Sequence, residues 1–169
     1  MSRLDSFIRR MEAQRACLDM AASALYGKPG PVLELGLGNG RTYDHLRQIV
    51  PDRRIFVFER HVAAHPDCVP PDEDLFVGDF RETLPDALSR MGERAVLVHA
   101  DYGAGTPEYV NGMAAFLAKI LPRLVASGAW IVSDYPIEGK GWDIMPLPRG
   151  IRANRYFIRR VGVPQCTVS

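Results

Sequence analysis

No stretch of the sequence restricts the fold more than Val32-Leu33-Glu34-Leu35-Gly36-Leu37-Gly38-Asn39-Gly40-Arg41-Thr42, which joins an apolar strand to a helix through a glycine-paved turn. Val32, Leu33 and Leu35 are β-favouring. Gly36, Gly38 and Gly40 permit positive φ and let backbone approach a ligand with no Cβ in the way. The helix that follows turns its free N–H groups toward that ligand. An α/β sheet builds a nucleotide-sized site in this way.

Two cofactor classes use such a turn, and the third glycine separates them. The dinucleotide fingerprint G-x-G-x-x-G, read from Gly36 and Gly38, requires glycine where this chain has Arg41, whose side chain crowds a pyrophosphate. The spacing present, Glu34-x-Gly36-x-Gly38-x-Gly40, resembles the first motif of class I S-adenosylmethionine-dependent methyltransferases, which seat no pyrophosphate. That resemblance spans about residues 31–134. It implies a Rossmann-like, mostly parallel α/β sheet with helices on both faces, and S-adenosylmethionine as cofactor with S-adenosylhomocysteine as product.

The rest of the chain is compatible with that fold. Leu4, Phe7, Ile8, Met11, Leu18, Ala21, Ala22 and Leu25 recur at helical spacing, behind Ser2 and Asp5 placed as a capping box, so an amphipathic helix is expected within residues 1–26. Apolar runs at 55–58, 75–77, 95–98 and 130–132 read as buried parallel strands. Helical patterns lie at 42–50 and 84–91, and a long helix starts at Thr106-Pro107-Glu108 and reaches toward Ser127-Gly128, with Pro122 expected to kink or break it near Leu121. Residues 61–74, with Pro66, Pro70 and Pro71, read as a loop with at most a turn or two of helix. The family closes its sheet with an antiparallel pair, for which 142–147 and 156–161 are the candidates within a C-terminal segment 139–165. A chain of 169 residues, 47% hydrophobic and 24% charged, supports one globular domain.

A net charge of +1 argues against whole-surface attraction to nucleic acid. Cys17, Cys68 and Cys166 form neither a disulfide framework nor a C-x-x-C pair, and the charged N-terminus carries no secretory signal, so a cytoplasmic setting is expected. His61, His65 and Cys68 lack an obvious fourth ligand, and no metal site is assigned to them.

Glu59 ends the second strand roughly 20 residues beyond the turn, where an acid accepts hydrogen bonds from a ribose diol. The resemblance gives Glu34 the amino end of the cofactor, Gly36, Gly38, Asn39 and Gly40 its methionine portion, and Asp79 with Phe80 the adenine. Arg60 and His99, at neighbouring strand ends, join that cofactor set. The fourth strand leads into Asp101 and Tyr102 and the fifth into Tyr135, which are expected on the acceptor side as catalytic residues; Asp101 reads equally as a general base or a structural cap. Lys140, Arg149, Arg152, Arg155, Arg159 and Arg160 suit either an anionic acceptor or an exposed sheet edge protected against pairing. A small-molecule acceptor, no membrane partner and a homodimer complete the expectations. The rivals are a non-catalytic S-adenosylmethionine-binding module and a dinucleotide-dependent oxidoreductase.

Overall fold

A computed structural model describes residues 2–162; Cys166 and the end of the 139–165 segment lie outside the described residues. Helix α1 (Arg3–Ser23) opens with the expected capping box: the Asp5 N–H donates to Ser2 Oγ at 3.0 Å and the Ser2 N–H donates to Asp5 Oδ2 at 2.9 Å. The chain then alternates through β1 (Val32–Leu35), α2 (Arg41–Ile49), β2 (Ile55–Glu59), β3 (Leu75–Val77), α3 (Phe80–Thr83), α4 (Ala87–Met91) and β4 (Ala95–Ala100). It continues with α5 (Pro107–Leu124), β5 (Val125–Ser133), β6 (Asp143–Ile144) and β7 (Phe157–Arg160). Between β2 and β3 there are only two 3₁₀ turns, Pro66–Cys68 and Asp72–Asp74, as the prolines there foretell.

The seven strands form one sheet in the order β3-β2-β1-β4-β5-β7-β6. Strands β1 to β5 pair in parallel, and β7 runs antiparallel to both β5 and β6. The order reverses between β1 and β4, and open α/β sheets bind ligands at that switch point. Two apolar layers flank the sheet. One contains Leu33, Leu35, Phe56 and Phe58 against α5, with Phe58 stacked on Phe76 at 4.4 Å. The other packs Cys17, Leu18 and Ala21 of α1 against Val32, Val57, Leu97 and Val132. Full burial of Leu18 alone stabilises that docking by about 1.5 to 3 kcal/mol.

Three expectations need correction. The apolar stripe of α1 is not buried along its whole length: Leu4, Phe7 and Ile8 stay exposed, and the buried face begins at Ala13. Pro122 does not break α5 into two helices: the helix runs unbroken to Leu124, and with Pro122 in its last turn no second helical segment follows to be broken away. The helical pattern that seemed to reach Ser127-Gly128 stops at Leu124, and those two residues belong to β5, beside a register shift against β4.

Candidate active site

The glycine turn is anchored on both sides before any ligand is considered. The Gly36 N–H donates to the Phe58 carbonyl at 2.9 Å and the Asp101 N–H to the Leu35 carbonyl at 2.9 Å, which ties the turn between β2 and the end of β4. Gly36 has φ +99°, and a Cβ there would stand 2.6 Å from the Asp101 carbonyl oxygen. Gly40, φ +83°, has Cys68 in the same relation: a Cβ would meet the Cys68 Cβ at 2.4 Å. Two of the three glycines therefore make room for the chain itself. Gly38, φ +50°, is the one whose added Cβ would meet open space.

Two cavities meet at this turn. One, of about 270 Å³, is lined by Phe7, Arg10, Met11 and Gln14 of α1 and by Gly36, Leu37, Gly38, Asn39 and Arg41. The other, of about 260 Å³, is lined by Arg60, Gly78, Asp79, Phe80, Tyr102 and Tyr109. Gly36, Glu59 and Asp101 belong to both walls. Each cavity alone falls just below the usual range of small-molecule sites, about 300 to 1,000 Å³, and the pair falls inside it.

Glu59 is bound by backbone donors. Its Oε2 accepts the N–H groups of Leu37 at 2.8 Å and Gly38 at 3.1 Å, and Oε1 accepts that of His61 at 3.0 Å. A carboxylate offers about four lone-pair sites, so three are in use and one is left for a ligand hydroxyl. Asp79 caps α3 by accepting the Arg81 N–H at 2.9 Å and pairs with Arg60. The Arg81 N–H and then Arg60 hold its carboxyl below the usual range.

Past the end of β4, Asp101 Oδ1 accepts from Arg10 at 2.6 Å, and Arg10 also reaches Asp134 Oδ2 at 3.5 Å. Asp134 takes the N–H groups of Tyr102 at 3.1 Å and Gly103 at 2.9 Å, fixing the loop that follows β4. Burial, and next the charge of Asp101, push the Asp134 carboxyl up to about 6. Two carboxylates thus face a single guanidinium, an arrangement that attracts positive charge and raises the proton affinity of Asp134.

Some expected residues lie elsewhere. Glu34 and His99 are fully buried and line neither cavity. They are register partners on β1 and β4 and face α1 rather than the crevice. Glu34 Oε2 lies 2.8 Å from His99 Nδ1, while His99 Nε2 lies 2.7 Å from the Tyr156 hydroxyl. Gln14 Nε2 donates to that hydroxyl at 2.9 Å. Burial pushes Glu34 up; for His99 burial pulls down, but the carboxylates of Glu34, Asp101 and Asp134 together outweigh it and the net shift is upward. The pair is a buttress beneath the site. The Tyr102 hydroxyl donates to the carbonyls of Tyr135 and Pro136 at 3.2 and 3.4 Å, and its ring joins the core, so burial raises its pKa. Tyr135 donates to Asn111 Oδ1 at 3.1 Å and packs edge-on to Tyr102 at 6.3 Å.

Sequence reasoning missed Arg10 and Gln14. Arg10 and Gln14 occupy the same helical stripe as the buried Cys17, Leu18 and Ala21, and polar residues inside an apolar stripe were the available signal. The basic C-terminal stretch does not form one face: Arg159 is buried and pairs with Glu138 at 2.5 Å. His61, His65 and Cys68 do not converge; His65 Nδ1 accepts the Asp67 N–H at 3.3 Å instead. Among the described residues no group of three or more His, Cys, Asp or Glu side chains is placed to hold a metal ion, and no helix is long and apolar enough to cross a membrane.

Among curated proteins none matches the chain. An S-adenosyl-L-methionine methyl transferase from Silicibacter pomeroyi has a crystal structure similar over 96% of this chain and 99% of its own, with 49% identity and a TM-score of 0.88. A methyltransferase of the mycinamycin biosynthetic pathway, solved with Mg and S-adenosylhomocysteine, shares the fold at 13% identity and a TM-score of 0.60, covering 96% of this chain and 49% of its own. The plantazolicin methyltransferase, solved with a desmethyl analogue and S-adenosylhomocysteine, shares it at 12% identity and a TM-score of 0.53, over 74% of this chain and 46% of its own. The S-adenosyl-L-methionine methyltransferase family profile matches residues 1–161, and the chain belongs to that family: it is a methyltransferase that uses S-adenosylmethionine.

Proposed function

We propose that the acceptor is a small molecule entering between α1 and the loop after β4, and that the two cavities divide the cofactor between them. The observation that carries this reading is the shared wall: Gly36, Glu59 and Asp101 border both spaces, so a ligand long enough to fill both must cross them. Gly36, Gly38 and Asn39, with Gly40 shaping the turn, then face the methionine end, where Arg10 and Arg41 offer charge to a carboxylate. The free lone pair of Glu59 takes a ribose hydroxyl. Asp79 accepts from the adenine amino group, Phe80 gives the base an apolar wall, and Arg60 holds Asp79 in place.

When bound, S-adenosylmethionine supplies a methyl group already activated by sulfonium charge, which leaves the protein to position, exclude water and move a proton. Asp101 is the acceptor-side carboxylate that both cavities touch, and it takes the proton released by the acceptor. Arg10 fixes its orientation and bridges it to Asp134 behind it. Tyr102 and Tyr135 shape this side without exchanging protons.

Asp101→Asn tests the assignment. Turnover is expected to fall by roughly 10²-fold or more, while affinity for S-adenosylhomocysteine stays near wild type by calorimetry. Wild-type turnover removes Asp101 from the proton path.

A further inference from the structure

Helix α1 also walls a cavity of about 210 Å³ that shares no lining residue with the crevice. Its opposite wall is the connection between β6 and β7, and Arg9, Glu12, Ile151, Arg152 and Arg155 border it. Three guanidiniums thus surround one concavity with a single carboxylate among them. Within the described residues, none of the three has a carboxylate oxygen within 4.0 Å, although Arg10, Arg54, Arg60 and Arg159 each have one. Arg155 Nη1 donates to Ser6 Oγ at 3.2 Å, which fixes its head at the cavity edge. Asn154, in the left-handed region at φ +63°, turns the chain between Arg152 and Arg155.

Three like charges against the single carboxylate of Glu12 repel in excess, and an anion between them offsets that cost. Guanidinium forks match carboxylate and phosphate oxygens in pairs, and several forks on one concavity select such groups over halide. We propose that this cavity is a binding site for a small carboxylate- or phosphate-bearing molecule. The anion comes from one of two sources. It is the charged end of the methyl acceptor, a case that rests on the reading of the crevice above, or it is a free anion that binds on its own. Adjacent residues Arg9 and Arg10 of α1 serve the two spaces separately.

Calorimetry with inorganic phosphate, pyrophosphate and succinate at low ionic strength provides the test. At least one of the three should bind wild type saturably, lose at least tenfold in affinity in the double variant Arg152→Ala with Arg155→Ala, and gain affinity in Glu12→Gln. Binding of S-adenosylhomocysteine, measured on the same samples, should be unchanged and so shows that the fold is intact. If the double variant does not fold, Arg152→Ala alone decides, since Arg152 is exposed. No saturable binding by wild type, or equal affinity in a folded variant, overturns the site. Methyl transfer from labelled S-adenosylmethionine to acidic and neutral small molecules identifies the source: competition by phosphate marks the acceptor's charged end, and indifference to phosphate marks a free anion. Phosphate binding by a protein that fails to bind S-adenosylhomocysteine sinks the reading of the crevice and leaves this site standing.

Discussion

On the β2–β3 side of the crevice, Glu59 and Asp79 take backbone N–H groups, and Asp79 is held below the usual carboxylate range, whereas beyond β4 Asp134 is buried against Asp101 and pushed up to about 6. Residues of the same chemistry behave oppositely because their neighbours differ: amide dipoles and Arg60 stabilise charge on one side, while burial and a like charge oppose it on the other. The first side is fitted to hold neutral hydroxyl and amino donors. The second, on the proposed reading, is where the acceptor's proton goes. Gly36 is the hinge of the comparison, since its missing side chain lets the two halves touch.

The largest expected effect comes from breaking that hinge. Gly36→Ala places a Cβ against the Asp101 carbonyl at positive φ, with a cost of about 3 kcal/mol or more in denaturant unfolding and loss of cofactor binding. Next is Glu59→Ala, which leaves the turn amides unpaired and removes the hydroxyl acceptor. S-adenosylhomocysteine affinity should weaken by about 1 to 3 kcal/mol, and an unaltered dissociation constant would place Glu59 outside the cofactor site. Gly38→Ala, with open space before it, should cost only about 1 to 2 kcal/mol through its left-handed conformation. A cost equal to that of Gly36→Ala would contradict the division of roles among the glycines.

The smallest effect is a titration. Carbon NMR of Asp134 should show a midpoint near 6, and Asp101→Asn should move it downward by removing the like charge. Because the folded-state value lies above the ordinary 3.8, the contribution of Asp134 to stability is fully present below about 3.8 and is lost as pH rises through about 6. Thermal melts between pH 4 and 7 should therefore slope downward less steeply in Asp101→Asn than in wild type.

Local grammar explains what the sequence disclosed. A strand, spaced glycines and an acid at the next strand end follow from backbone conformation and short-range order, so the β1 turn, Glu59, the capping box and the sheet class were readable. Side-chain direction at a strand end was not. Glu34 and His99 sit in the right positions along the chain, but strand parity turns both toward α1, where Gln14 and Tyr156 meet His99 and His99 in turn meets Glu34. The roof of the crevice was hidden for a related reason. Arg10 reaches Asp101 across 91 residues, a pairing that depends on how α1 lies over the finished sheet and not on any spacing within α1.

The Gln14–Tyr156 hydrogen bond has a temporal consequence for a chain that is synthesised from its N-terminus. It links positions 142 apart, and Arg155 meets Ser6 across 149. Contacts of such separation close late in folding, since loop entropy has to be overcome before they form. A growing chain released as far as β5 already has its glycine turn and the acid of β2, yet α1 lacks the Tyr156 hydroxyl against which Gln14 settles. On the ribosome, then, α1 can settle on β1 to β5 through Leu18 and its neighbours before the chain is finished, but the polar tie that fixes Gln14 in the roof closes only once Tyr156 emerges.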